Sequence, residues 1–358
     1  MNRLIIVGNG FDIAHGLETS FNSFISDYFF NAFKQFYTAA GSYKDVLLEL
    51  NVNPMYPNSY KPLHKELTIE DISKHIEKAK EYITIKFHSK LLQTLHIKGL
   101  NQTWVDIEIE FFKALVKANN SRGNRNDDIN NINTEFSFIK KKLIEYLKRK
   151  YETFENKSDL EPLVDTFTEN FNPKEIIGCN LSDKLQPEKL FFLNFNYTDT
   201  ILKYSMACRN YIKTNVNFIH GKLYSESSNQ PIFGFGDELN EEYKKFEDSE
   251  KDELFEHIKS FDYLKNQNYH NLLNFLQEQE YQVQIYGHSC GLSDRTMLNE
   301  IFESENCKSI KIFYHEKENG ENDFIEKTYN IYKHFKDKSL LRKKILPFDL
   351  SQAMPQPK

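Results

Sequence analysis

The sequence predicts an α/β protein with a Rossmann-like, mostly parallel sheet and a large helical insertion after the first strand. Three observations predict it. Leu4-Ile5-Ile6-Val7 is an apolar run broken at once by Gly8-Asn9-Gly10, the pattern of a buried strand, a tight turn and a starting helix. After Pro187, short apolar runs alternate with helical stretches. Most of those runs end in glycine or polar residues, where an open parallel sheet binds its ligands.

In chain order, residues 1–40 read as strand, glycine turn and an aromatic helix whose apolar face carries Phe21, Phe24, Ile25, Tyr28, Phe29 and Phe33. Residues 41–170 read as wholly helical. One helix is expected from Leu67 to Ile97 with Gly99 as its stop, and another opens at Thr103, a capping residue with Asp106 three positions on. Residues 121–132 are polar and Asn-rich, which suggests a loop. The sheet resumes over 171–346. Its expected strands are Leu190 to Asn196, Val216 to Gly221, Pro231 to Gly236, Gln282 to Ser289 and Lys308 to His315. Residues 237–280 read as a charged helical excursion, and 347–358 as a frayed tail.

Composition narrows the function. Hydrophobic residues make up 39% of the 358, yet 30 Phe and 20 Tyr provide the area for a sizeable core. The net charge of −6 disfavours nucleic acid and anionic membrane as partners. The basic runs at Lys140-Lys141-Lys142, Lys148-Arg149-Lys150 and Arg342-Lys343-Lys344 read as solvated helix faces. Cys179, Cys208, Cys290 and Cys307 form no C-x-x-C pair, so no metal is expected. With a strand already at the start, no secretory segment is read and reduced thiols in the cytoplasm are expected. No membrane span is expected.

The polar strand ends supply the site residues. The first end offers Gly8, Asn9, Gly10, Phe11 and Asp12, a turn whose backbone N–H groups suit a phosphate. Asn194 and Asn196 end a second strand, where either could instead cap the following helix. His220 and Gly221 end a third, and His220 could equally be a core histidine satisfied by backbone. Gly287, His288 and Ser289 end a fourth, before Asp294, which stands where a helix cap is needed.

These blocks carry a resemblance. Gly8-Asn9-Gly10-Phe11-Asp12-Ile13-Ala14-His15-Gly16-Leu17, Trp104-Val105-Asp106-Ile107-Glu108, Asn194-Phe195-Asn196-Tyr197-Thr198-Asp199, Ile219-His220-Gly221 and Gly287-His288-Ser289 stand in this order. Through them the chain resembles the AbiH family of phage abortive-infection proteins. More distantly the layout resembles sirtuin-like NAD-binding domains of bacterial defence proteins. That second likeness implies NAD as substrate or ligand, with Asn196 and His220 as the catalytic pair. It implies Gly8 to Asp12 on the pyrophosphate and Ser289 and Asp294 on the adenosine side. Asn9 between the glycines and Thr198 before Asp199 depart from the sirtuin pattern, and the four-cysteine zinc module of the deacylases is missing.

The implied chemistry is hydrolysis of the nicotinamide–ribose bond through an oxocarbenium-like ribose. Asn196 would hold ribose hydroxyls and water; His220 would take the proton. The Trp104-to-Glu108 block, with Asp106 and Glu108, could add a carboxylate across the cleft, or be a helix start and a core tryptophan. The alternative is a sensor that binds a nucleotide without chemistry. A phage-derived trigger, a homo-oligomer and a resting state covered by residues 41–170 or 237–280 are further expectations.

Overall fold

The computed structural model describes residues 1–39, 41–55, 72–98, 104–121, 125–155, 159–177, 185–225 and 229–357. The chain divides into two compact units. Met1–Glu18, Lys150–Glu250 and His257–Lys358 form the first; Thr19–Arg149 and Lys251–Glu256 form the second.

β1 (Asn2–Val7) and the short α1 (Asn9–Ala14) open the first unit. The second unit then holds α2 (Phe21–Thr38), β2 (Ser42–Lys44), β3 (Leu48–Val52), α3 (Ile72–Ala79), β4 (Ile83–Phe87), α4 (Lys90–Lys98), α5 (Trp104–Asn119) and most of α6 (Arg125–Glu152). The chain returns to the first unit through α7 (Glu161–Thr168), β5 (Lys189–Asn194), α8 (Ile201–Cys208), β6 (Lys213–Phe218) and α9 (Glu241–Glu247). It continues with α10 (Lys259–Tyr263), α11 (Asn268–Glu278), β7 (Tyr281–Tyr286) and α12 (Arg295–Glu303). It closes with β8 (Cys307–Tyr314), α13 (Phe324–His334), α14 (Lys338–Lys344) and β9 (Gln352–Ala353).

The first unit is an α/β layer structure. Its six strands run parallel in the order β6-β5-β1-β7-β8-β9. Numbered among themselves, they read 3-2-1-4-5-6, the doubly wound order, which reverses between β1 and β7. Every residue of β1 is buried, because both faces of the sheet are covered. Leu4 and Ile6 face one core, with Phe275, Leu298 and Ile301; Ile5 and Val7 face the other, with Phe167, Ile201 and Tyr204. Strand alternation at period two divides one apolar run between two helical layers.

Two loops at the carboxyl edge lie backbone against backbone. Gly8 N–H donates to the Tyr286 carbonyl at 3.0 Å and Gly10 N–H to that of Gly287 at 2.8 Å. A Cβ on Gly8 would stand 2.5 Å from His288 Cα, and one on Gly287 2.1 Å from Phe11 N. Gly287 also has φ +64, a left-handed conformation that suits glycine. The glycines are therefore demanded by this contact alone.

The second unit corrects the wholly helical reading of 41–170. It contains an antiparallel sheet, β2-β3-β4. Ile83, Ile85 and Phe87, counted as helix positions, alternate along β4 instead, and the expected helix from Leu67 to Ile97 is interrupted there. Asp45 ties the β2–β3 turn, accepting the Tyr28 hydroxyl at 2.9 Å and the Leu47 and Leu48 N–H groups at 2.8 Å each. The Asn-rich loop expected over 121–132 is helix from Arg125 onward. Gly99 and Thr103, and the side chains of Trp104 and Asp106, lie outside the described residues. The aromatic helix α2, read as part of the sheet domain, belongs to this unit.

Three further expectations differ. Pro231 to Gly236 forms no strand; Phe235 makes one isolated bridge with Ile258. The excursion 237–280 is split, because Asn133 holds Lys251–Glu256 in the second unit through the Glu253 carbonyl (2.7 Å) and the Glu256 carboxylate (3.0 Å). The tail over 347–358 is docked rather than frayed over its described part. β9 pairs with β8, Met354 N–H donates to the Tyr314 carbonyl at 2.7 Å, and the Met354 side chain is buried. Among the described residues no helix is long and apolar enough to cross a membrane.

The loop contact sets a prediction. Gly287→Ala adds a methyl where no room exists, on a left-handed backbone, and costs about 3 kcal/mol. Urea unfolding measures it. An unchanged midpoint would mean the two loops are free to separate.

Candidate active site at the carboxyl edge of the sheet

Asn194 sits at the last position of β5 and organises the loop after it. Its amide donates to the carbonyls of Asn196 (3.2 Å) and Thr198 (3.1 Å), and its Oδ1 accepts the Asn196 N–H. Asn194 is thus a loop brace, fully enclosed. Asn196, the next polar residue, donates its side-chain amide to the Gly8 carbonyl at 3.0 Å. That bond ties the end of β5 to the end of β1.

Asp12 on α1 is buried beside this bond. Its carboxylate accepts the Thr198 hydroxyl, while its other oxygen has no hydrogen-bond partner. Burial pushes its pKa up to about 6; the Thr198, Thr200 and Asn196 side chains pull the other way, and Asp199 adds to the rise.

His220 follows β6 and is 7% exposed. Its Nε2 lies 3.0 Å from the Tyr263 hydroxyl and 3.2 Å from Asp294 Oδ1. Lys259 Nζ donates to the same carboxylate oxygen at 2.8 Å. Tyr263 and Lys259 stand on α10, and Asp294 opens α12. Asp294 makes no side-chain cap there; its carboxylate turns to Lys259 and His220 instead. Burial alone would raise the Asp294 pKa, but the Lys259 ammonium and His220 hold it well below the usual carboxylate range. Burial and Lys259 push the His220 pKa down, against the pull of Asp294. Such a desolvated, charge-paired histidine is a functional-site signature, although structural ion pairs shift pKa values as well.

His288 forms the adjoining wall. The Phe195 ring stands 5.0 Å from His220 and 4.2 Å from His288, centroid to centroid. His288 Nδ1 accepts the Cys290 N–H at 3.0 Å, and burial pushes its pKa down to about 3, so the ring is neutral. Gly221 has φ +79, and a Cβ there would meet the Gln230 carbonyl oxygen at 2.3 Å.

A cavity of about 420 Å³ opens outside the ends of β1, β7 and β8, where the strand order reverses. Gly10, Gly287, His288 and Ser289 line it, together with His315, Asp323, Glu326 and Lys327. The expected residues thus fall into three adjoining groups. Gly10, Gly287, His288 and Ser289 face the cavity. His220 and Asp294 form the buried ion cluster. Asp12, Asn194 and Asn196 join the first and second strand ends. Asn9 and Phe11 lie on α1, with Phe11 enclosed in the core.

At residues 8–12, the expected phosphate cradle, three main-chain donors are engaged within the fold. The N–H groups of Gly8, Gly10 and Phe11 already donate to Tyr286, Gly287 and Gly8 carbonyls. The glycines serve the contact between loops. Glu108 is a buried residue of α5 in the second unit. Cys208, Cys290 and Cys307 are buried free thiols, and Cys179 lies outside the described residues. Among the described residues no cluster of three or more His, Cys, Asp or Glu could hold a metal. Lys259 and Tyr263 were missed by the sequence reading, since they occur in a charged helical stretch with no motif around them.

Residues 4–316 match the family described as Bacteriophage abortive infection AbiH. The chain belongs to the AbiH family. Among curated proteins and among solved structures nothing matches it. The matched region of this AbiH protein contains the carboxyl ends of β1, β5, β6, β7 and β8.

Asp12 gives a pH prediction. Its unfolded pKa is near 3.9 and its folded pKa is raised, so the fold favours the protonated acid. Between about pH 4 and 6 the unfolded state loses that proton first, and stability falls as pH rises. Asp12→Asn removes the penalty. It is expected to gain roughly 2 kcal/mol over the wild type at pH 7 and nothing at pH 4, read from urea titrations. An equal difference at both pH values would contradict the assignment.

Proposed function

We propose that this AbiH protein is a cytoplasmic abortive-infection effector that hydrolyses NAD⁺ at the nicotinamide–ribose bond when phage infection is sensed. One observation carries the reading. The ends of β1, β5, β6 and β7 bring a cavity at the strand-order reversal next to an enclosed His–Asp–Lys cluster and Asn196. Open doubly wound sheets bind their ligands at this edge.

The chemistry follows from the leaving group. Nicotinamide departs as a neutral base from a cationic glycoside, so the barrier lies in the oxocarbenium-like ribose. Asn196 carries no charge and offers a donor and an acceptor for ribose hydroxyls and water. His220 accepts the proton from water or hydroxyl, and Asp294 stabilises the imidazolium that forms. Tyr263 and Lys259 fix the ring and the carboxylate. Ser289 and Gly287 face the cavity as contacts for the adenosine half.

In the structure, Asn196 is bonded to the Gly8 carbonyl and His220 to its own cluster. Both must exchange a partner before they touch substrate, which fits an effector held silent until a phage-derived trigger arrives. The same pairings favour a second reading, a sensor that binds a nucleotide at the cavity and performs no chemistry.

NAD⁺ consumption by the purified chain, alone and with lysate from infected cells, separates the two. Nicotinamide release is expected with infected lysate and should fall at least a hundredfold in His220→Ala and Asn196→Ala. Saturable NAD⁺ binding without turnover would establish the sensor. Neither binding nor turnover would overturn both.

A further inference from the structure

A second cavity, apart from the His220 cluster, lies along β6. Among the described residues this strand is an edge of the sheet and pairs only with β5. In a parallel ladder, successive residues turn their N–H and C=O groups alternately toward and away from the partner strand. Ile219 N–H reaches the Asn194 carbonyl of β5 at 3.1 Å, which fixes the phase. Asn215 and Asn217 therefore face β5 with their main chain, and Thr214, Val216 and Phe218 face outward. The Phe218 carbonyl accepts the Asn268 side-chain amide at 2.7 Å. The main-chain N–H and C=O of Val216 have no hydrogen-bond partner among the described residues.

Beside this open edge lies a cavity of about 580 Å³ between β6, the start of β5 and α11. Five asparagines line it: Asn215, Asn217, Asn268, Asn271 and Asn274. Asn217 is 4% exposed; its amide donates to the Asn268 carbonyl at 2.7 Å, and its Oδ1 has no partner. The two charged residues of the cavity, Lys189 and Glu278, pair with each other at 2.6 Å. Phe191 and Phe275 stack there, with centroids 4.5 Å apart.

Each carboxamide offers a donor and an acceptor, the pair that a peptide bond requires. An electrically balanced amide wall beside an unpaired strand edge matches an uncharged main chain; an anionic ligand would find no free cation in it. Edge strands with unpaired main-chain groups are templates for strand addition. We propose that β6 and α11 bind an extended, uncharged peptide segment by strand addition. Val216 supplies the main-chain hydrogen bonds, and Asn271 and Asn274 supply amide contacts along the flank. This site does not depend on the nucleotide reading, because it shares no residue with the cavity at Ser289.

The test uses the full chain. A displayed library of uncharged heptapeptides is selected on it, and the best peptide, synthesised with a fluorescein label, serves as the probe. Val216→Pro removes the outward N–H at a position where an edge strand tolerates proline. Binding by fluorescence polarisation is expected to weaken at least tenfold in Val216→Pro. It should weaken at least threefold in the double variant Asn271→Ala, Asn274→Ala, both with unchanged circular dichroism. Should Val216→Pro fail to fold, the double variant on the exposed helix face decides alone. A library with no enriched peptide, or equal affinity in the variants, would overturn the proposal. So would a wild-type dimer that Val216→Pro converts to monomer, since the edge would then belong to a second copy of this chain.

Discussion

The contact between the loops after β1 and β7 is the constraint on which the first unit depends. Gly8, Gly10 and Gly287 bring two main chains to a separation that no side chain allows. The contact lies where the strand order reverses, so it sets the floor of the cavity there. It also fixes where the Gly8 carbonyl stands, and hence where Asn196 finds its hydrogen bond. Asn194 braces the loop that presents Asn196, and Asp12 receives Thr198 from the same loop. A short chain of hydrogen bonds thus runs from the glycine contact to the residues at the end of β5.

The second constraint is electrostatic. Lys259 and Asp294 are an enclosed ion pair, and such a pair costs more in desolvation than an exposed one. Its position bears on function. It joins α10 to the start of α12 and holds a charge directly against His220. Asp294 occupies a helix start yet caps nothing, so its carboxylate is committed to the cluster rather than to local backbone. An enclosed histidine between a carboxylate and a tyrosine has a proton donor or acceptor on each side of the ring nitrogen.

Much of the first unit was legible because parallel strands buried on both faces read as continuous apolar runs. β1 and β5 announce themselves in this way, while β7 and β8 carry buried Gln282, Gln284, Ser309 and Lys311 among their apolar residues. Their polar ends marked the edge where the cavity and the His220 cluster lie. The second unit was less legible. β4 carries Ile83, Ile85 and Phe87 within a stretch whose other apolar residues fit a helix, and only pairing with β3 decides between the periods. The segment Pro231 to Gly236 is as apolar as a strand but, among the described residues, its ladder pairing is limited to the isolated Phe235–Ile258 bridge. The tail looked unstructured because Gln352 and Ala353 carry no strand signature; docking on β8 orders them. At the strand ends, the glycines were recognised but the contact they make between two loops was not, since a turn that admits a phosphate and one that admits another backbone have the same sequence. Lys259 and Tyr263 gave no signal, because only tertiary folding brings α10 to His220.

We propose that a nucleotide of the NAD type occupies the carboxyl edge of the six-stranded sheet. Hydrogen–deuterium exchange on the full chain, with and without saturating NAD⁺, tests it directly. The account predicts slower exchange over residues 8–12, 194–199, 219–221 and 287–294, with the second unit's β2-β3-β4 sheet unchanged. Unaltered exchange in all four segments, or protection confined to the second unit, would contradict it.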